Sequence, residues 1–138
     1  MINTQKLSRV VLFTEDIDIY KTLFDKTNII QTTARRSTPF DKPAELSNLL
    51  KHIDYAALSV RKNAIRGKKM ESNEYYRGIL INVLEYLRKK AGISEKADFG
   101  FKHIHKDIPH EESGKLEDFY FANPVDSIEP LKSWLKSI

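Results

Sequence analysis

Residues 55–92 read YAALSVRKNAIRGKKMESNEYYRGILINVLEYLRKKAG, and the first six of them decide the fold class. Ala56, Leu58 and Val60 alternate with Tyr55, Ala57 and Ser59, a period of two that suits a strand. Nothing breaks a helix before Gly67, so the helical pattern upstream could instead run on through the same residues. The alternation favours the strand. A basic run follows, with Arg61, Lys62, Arg66, Lys68 and Lys69 and no acid until Glu71. Next comes the strongest helical pattern in the chain, over about residues 73–91. Tyr76, Ile79, Leu80, Val83, Leu84 and Leu87 form its apolar stripe. Ser72 or Asn73 can cap its start, and Arg88, Lys89, Lys90 and Gly92 mark its end.

Upstream, residues 9–14 are β-branched and apolar enough for a first strand. Thr14 can cap a helix that carries Glu15 and Asp16 in its first turn and ends near Asn28. Residues 31–42 are polar and read as a loop, with a short strand possible over 29–33. Asp41 can cap a second helix with Pro43 in its first turn. Leu46, Leu49, Leu50 and Ile53 would form its apolar face. Downstream, the alternation over 98–105 predicts a strand, 109–115 a turn, and 116–121 a partner strand. Asp126, with Glu129 three residues on and Pro130 in the first turn, predicts a last helix. Leu131, Trp134, Leu135 and Ile138 give that helix an apolar stripe. The expected fold is a single α+β domain over 1–138. A small, mostly antiparallel sheet would carry three to four packed helices.

Composition bounds the function. A chain of 138 residues, 41% hydrophobic and 30% charged, matches one globular domain with its own core. It has no cysteine, which excludes disulfides, thiol chemistry and Cys-based zinc sites and suits a reducing compartment. No apolar run approaches the ~20 residues of a membrane span, and residues 1–8 lack the apolar core of a signal peptide. A cytoplasmic setting without membrane contact is the expectation. The net charge of +4 is mildly basic, so its arrangement matters more than its sum.

Three constellations could carry chemistry. Five cations within nine residues, at Arg61, Lys62, Arg66, Lys68 and Lys69, can neutralise phosphates and release counterions. A solvated loop with no ligand would look the same. Tyr75 and Tyr76 stand beside this run, and aromatic rings next to a basic groove are how single strands are often held. Adjacent helical residues point about 100° apart, so Tyr76 goes to the core and Tyr75 is the candidate platform, near Asn73 and Arg77. The third constellation is His103 and His105 on one strand face with His110 across the turn, a spacing that can ligate zinc or a non-haem metal. Lys102 and Lys106 flank the pair and repel a cation, so a polar sheet face or an extended basic surface is the competing reading. No cofactor is expected.

A Gly-rich phosphate loop, a nucleophile elbow and an HExxH motif are all missing, which weighs against an enzyme. The acid clusters at Glu15-Asp16-Asp18, Glu111-Glu112 and Glu117-Asp118 could serve a metal-dependent nuclease, but their spacing equally suits caps and turns.

Residues 68–78, KKMESNEYYRG, resemble the hallmark stretch of the phage NinB recombination family. There a basic strand leads into a segment like Arg-Ser-x-x-Gln-Asn-x-Tyr-Tyr-Trp-Gly that opens a long helix. Asn73, Tyr75, Tyr76 and Gly78 match it. Lys68 stands where the family has Arg and Lys69 where it has Ser, while Ser72 replaces the Gln and Arg77 the Trp. The element order over 55–60, the basic run, the helix and a short terminal helix around Trp134 is also similar. Residues 1–40 have no counterpart, and without the Gln its polar contact does not carry over to Ser72. The resemblance implies an α+β domain that binds single-stranded DNA and aids recombination without being an enzyme, as a homodimer.

The expectation is therefore a nucleic-acid-binding accessory protein of phage or mobile-element origin, preferring single-stranded DNA to RNA. Arg61, Lys62, Arg66, Lys68, Lys69 and Arg77 would contact phosphates, and Asn73 and Tyr75 bases. The alternatives are a protein-interaction module (an immunity protein, antitoxin or phage-encoded inhibitor) and a small metal-dependent enzyme built on His103, His105 and His110.

Overall fold

The computed structural model describes residues 39–93 and 100–138. The strand expected at 9–14, the helix after it and the segment at 29–33 lie outside these residues. Every regular element among the described residues is a helix: α1 (Lys42–Ile65), α2 (Lys69–Lys90), α3 (Ile104–Asp107), α4 (His110–Phe121) and α5 (Pro124–Ser137).

The expected sheet is overturned. Residues 55–60 belong to α1 and 116–121 to α4, while 100–103 form turns that lead into α3. The reason at 55–60 is register. Leu49, Ile53, Ala57 and Val60 are all buried, at helical spacing, whereas Leu58 is 63% exposed. A strand would have put Leu58 and Val60 on the same face. At 116–121 the buried pair is Leu116 and Phe119, three apart, again a helical repeat. The turn expected at 109–115 is the first half of the same helix.

Asp41 accepts a hydrogen bond from the Ala44 N–H, and Pro43 sits in the first turn, so α1 starts as its sequence predicts. It stops at Gly67, whose φ of 72° lies in the left-handed region. There the Lys68 N–H bonds the Asn63 carbonyl at 2.9 Å and the Gly67 N–H bonds Ala64 at 3.0 Å, a Schellman closure. The chain reverses over three residues, and α2 begins at Lys69, four residues before the expected Asn73. Ser72 is no cap. It is buried, and its hydroxyl donates to the Val60 carbonyl at 2.8 Å, tying the two helices together. Gly92, at φ 78°, closes α2 by the same device, with Ile93 bonding the Arg88 carbonyl.

The last helix begins at Pro124, capped by Asn123, whose side chain accepts from the N–H groups of Val125 and Asp126. The expected cap at Asp126 loses because Asn followed by Pro at the first helical position is the stronger start. Pro130 therefore lies inside α5 rather than in its first turn.

α1 and α2, about 36 and 33 Å long, form an antiparallel hairpin. α5 lies along α1, and α4 packs on α2. One core joins them. Ile53 and Val60 of α1, Ile79, Leu80, Val83, Leu84 and Leu87 of α2, Leu116 of α4 and Ile128, Leu131 and Leu135 of α5 are all essentially inaccessible. The segment before α4 is held by a buried cation. Arg88 donates to the Asp107 carboxylate at 3.0 Å and to the carbonyls of Gly100 and Lys102 at 3.0 and 2.8 Å. Among the described residues, no helix is long and apolar enough to cross a membrane.

Candidate nucleic-acid interface

Residues 61–77 hold six cations and two acids, a net of +4, which equals the net charge of the whole chain. The hairpin turn concentrates them. Lys62 occupies the last turn of α1, Arg66 caps its end, Lys68 stands in the reversal, and Lys69 opens α2. All four are exposed, and none forms an ion pair among the described residues. The other predicted residues lie along the flanking helices. Arg61 is exposed but paired with Glu129 of α5 at 3.3 Å. Asn73, Tyr75 and Arg77 are exposed on α2.

These residues do not share one face. Lys69, Asn73 and Arg77 recur every fourth residue, so they form one ridge along α2. Arg77 ends that ridge with its guanidinium 5.8 Å from the centroid of the Phe101 ring, within cation–π range. Tyr75, 49% exposed, leaves the helix roughly 200° around from Arg77 and so belongs to another side of α2. Tyr75 is exposed, as the candidate platform requires, and is near Asn73 and Arg77 in sequence but not on their ridge. Tyr76 is buried, and its hydroxyl donates to the Phe119 carbonyl at 2.8 Å. Burial raises its pKa above the ordinary phenol value, with the Ser127 hydroxyl partly offsetting this.

That bond brings the end of α4 beside the start of α2, and with it residues that the sequence reading assigned to a hairpin. Phe101 stacks edge-on against Tyr120 at 5.2 Å, and Tyr120 against Phe121 at 5.0 Å. Tyr120 is 42% and Phe121 83% exposed. A continuous line of contacts thus runs from Arg77 through Phe101 and Tyr120 to Phe121. The one sequence signal for it is that Phe121 falls off the helical face set by Leu116 and Phe119.

The three histidines do not converge. His103, at φ 66°, precedes α3, while His110 opens α4. The His105 ring lies 6.4 Å from that of His110. Its Nδ1 is 3.1 Å from the Ser113 hydroxyl and its Nε2 is 2.8 Å from the Glu117 carboxylate. Among the described residues, no three His, Asp or Glu side chains are grouped to hold a metal ion. Loss of the strand explains this, because the two-residue spacing puts His103 and His105 on one side only in extended chain. Ser113, His105 and Glu117 line up as in a hydrolase relay. Ser113, however, is fully buried and its hydroxyl donates to the His110 carbonyl, so no substrate reaches it.

Comparison with protein-family models, with curated proteins and with solved structures found no match to this chain.

Proposed function

We propose that this protein is a nucleic-acid-binding accessory protein that prefers single-stranded DNA and acts in the cytoplasm. One observation carries the reading: the net positive charge of the chain resides in residues 61–77, at an exposed hairpin turn whose cations have no acidic partner among the described residues apart from Arg61. Unpaired cations on a rigid turn neutralise phosphates without first breaking ion pairs. In this reading Lys62, Arg66, Lys68 and Lys69 contact phosphates at the turn, and Asn73 and Arg77 continue the contact along α2. Tyr75 is open to a base from the other side of the helix. The resemblance of residues 68–78 to the phage NinB family supports the same function. Its α+β fold is not that of the described residues, so the likeness is confined to the motif.

Titration of labelled single-stranded DNA at rising salt tests the reading. Binding at micromolar concentration or tighter that weakens steeply with salt is expected. Lys68→Glu with Lys69→Glu should abolish it, and an absence of binding at low salt refutes the proposal.

A second reading, a protein-interaction module, has its own observation. Tyr55, Leu58 and Ile65 are 77, 63 and 87% exposed on the side of α1 turned away from the core. A stoichiometric protein complex, together with no affinity for nucleic acid, would favour that reading.

A further inference from the structure

The geometry points to a base-stacking platform at Tyr120 and Phe121, fed by the Lys69–Asn73–Arg77 ridge. This inference rests on the nucleic-acid reading above and adds a second subsite to it. Large aromatic rings are expensive to leave in water, yet Phe121 is 83% exposed at the end of α4 and Tyr120 is 42% exposed beside it. The two rings meet edge-on, with an interplanar angle of 77°, and both remain partly open to solvent. Phe101 packs edge-on against Tyr120 and carries Arg77 over its own ring. The platform is therefore wired to the basic ridge by direct contacts, and the Tyr76 bond to the Phe119 carbonyl holds α4 against α2 at this point.

The charge pattern selects the occupant. A single strand presents phosphates on one side and flat apolar bases on the other. The ridge supplies cations for the first. The platform supplies rings for the second and lies at a helix C-terminus, whose partial negative charge disfavours phosphate. A duplex, with its bases stacked inside, has nothing to offer the rings. The ligand class is thus single-stranded nucleic acid, bound by backbone at Lys69 and Arg77 and by one or two bases at Tyr120 and Phe121.

The test uses the full chain with two labelled probes of equal length and charge, an oligo-dT strand and an abasic strand. Wild type should bind oligo-dT more tightly than the abasic strand. Phe121→Ala should weaken oligo-dT binding by roughly tenfold, the loss of one stacked base, and leave the abasic affinity and the salt slope unchanged. Phe121→Trp should restore oligo-dT binding. Phe121 is too exposed for its removal to unfold the chain, and far-ultraviolet circular dichroism checks this. Equal affinity for both probes, no effect of Phe121→Ala, or equal weakening on both probes overturns the platform while leaving the basic-turn reading intact. Failure of wild type to bind either probe removes both.

Discussion

Tyr76 and Tyr86 sit on the same helix, both 3% exposed, and their hydroxyls have opposite fates. Tyr76 donates to the Phe119 carbonyl. The Tyr86 hydroxyl is buried with no hydrogen-bond partner among the described residues, its ring tilted against Phe40 at 5.8 Å. A buried unsatisfied hydroxyl costs about 1–3 kcal/mol, while a satisfied one contributes about 1 kcal/mol. Tyr86→Phe should therefore raise stability by about 1 kcal/mol, and Tyr76→Phe should lower it by a similar amount. Urea denaturation of both variants checks this, and a loss of stability in Tyr86→Phe would mean that its hydroxyl is satisfied in solution. In the sequence Tyr76 reads correctly as part of the apolar stripe. Nothing local separates the two hydroxyls, because the Tyr76 partner comes from 43 residues away and none among the described residues reaches the Tyr86 hydroxyl.

At the level of elements, α2 shows how a local signal can mislead. Arg88, Lys89 and Lys90 read together as cations at a helix end, and the helix does end there. Arg88 does more. It is 2% exposed, pairs with the buried Asp107, and takes two carbonyls from the turns before α3. The guanidinium fastens those turns to α2. Arg88→Ala would break a buried ion pair and take a donor from two carbonyls, and should cost about 3–5 kcal/mol. Lys89→Ala, at a partly exposed pair with Glu45, should cost under about 1 kcal/mol. Thermal melts of the two variants distinguish them, and equal losses would refute the clamp. The strand expected at 55–60 failed for a related reason. A six-residue window with small and apolar residues fits period two and period 3.6 alike. The choice was made by α2 and α5, which bury Ala57 and Val60 together.

At the scale of the whole molecule, three groups among the described residues make stability depend on alkaline pH in the same sense. Lys132 of α5 reaches Asp54 of α1 at 2.5 Å, and that hydrogen bond raises its pKa. Burial raises Tyr76 and Tyr86, the latter further through the carboxylates of Glu112 and Glu45. A folded-state pKa above the unfolded value contributes stability that is complete below the unfolded value and is lost as pH climbs through the folded one. The unfolded values are 10.0 for the phenols and 10.5 for the lysine, so the urea midpoint should fall once pH passes 10.0. Asp54→Asn should remove part of this dependence, and a midpoint that rises above pH 10.0 would contradict the assignment.

Local chemistry was enough to determine the cap at Asp41, the stop signal at Gly92, the apolar stripe of α2 and the concentration of cations at 61–77. Each rests on one residue type or one period within a few turns of chain. The helical identity of 55–60 and of 110–121, the burial of Arg88, the scattering of the three histidines and the line from Arg77 to Phe121 were decided only by the tertiary structure. All of these depend on which face meets a helix distant in sequence. A short window cannot carry that information, because burial is a property of the assembled core and not of the segment that enters it.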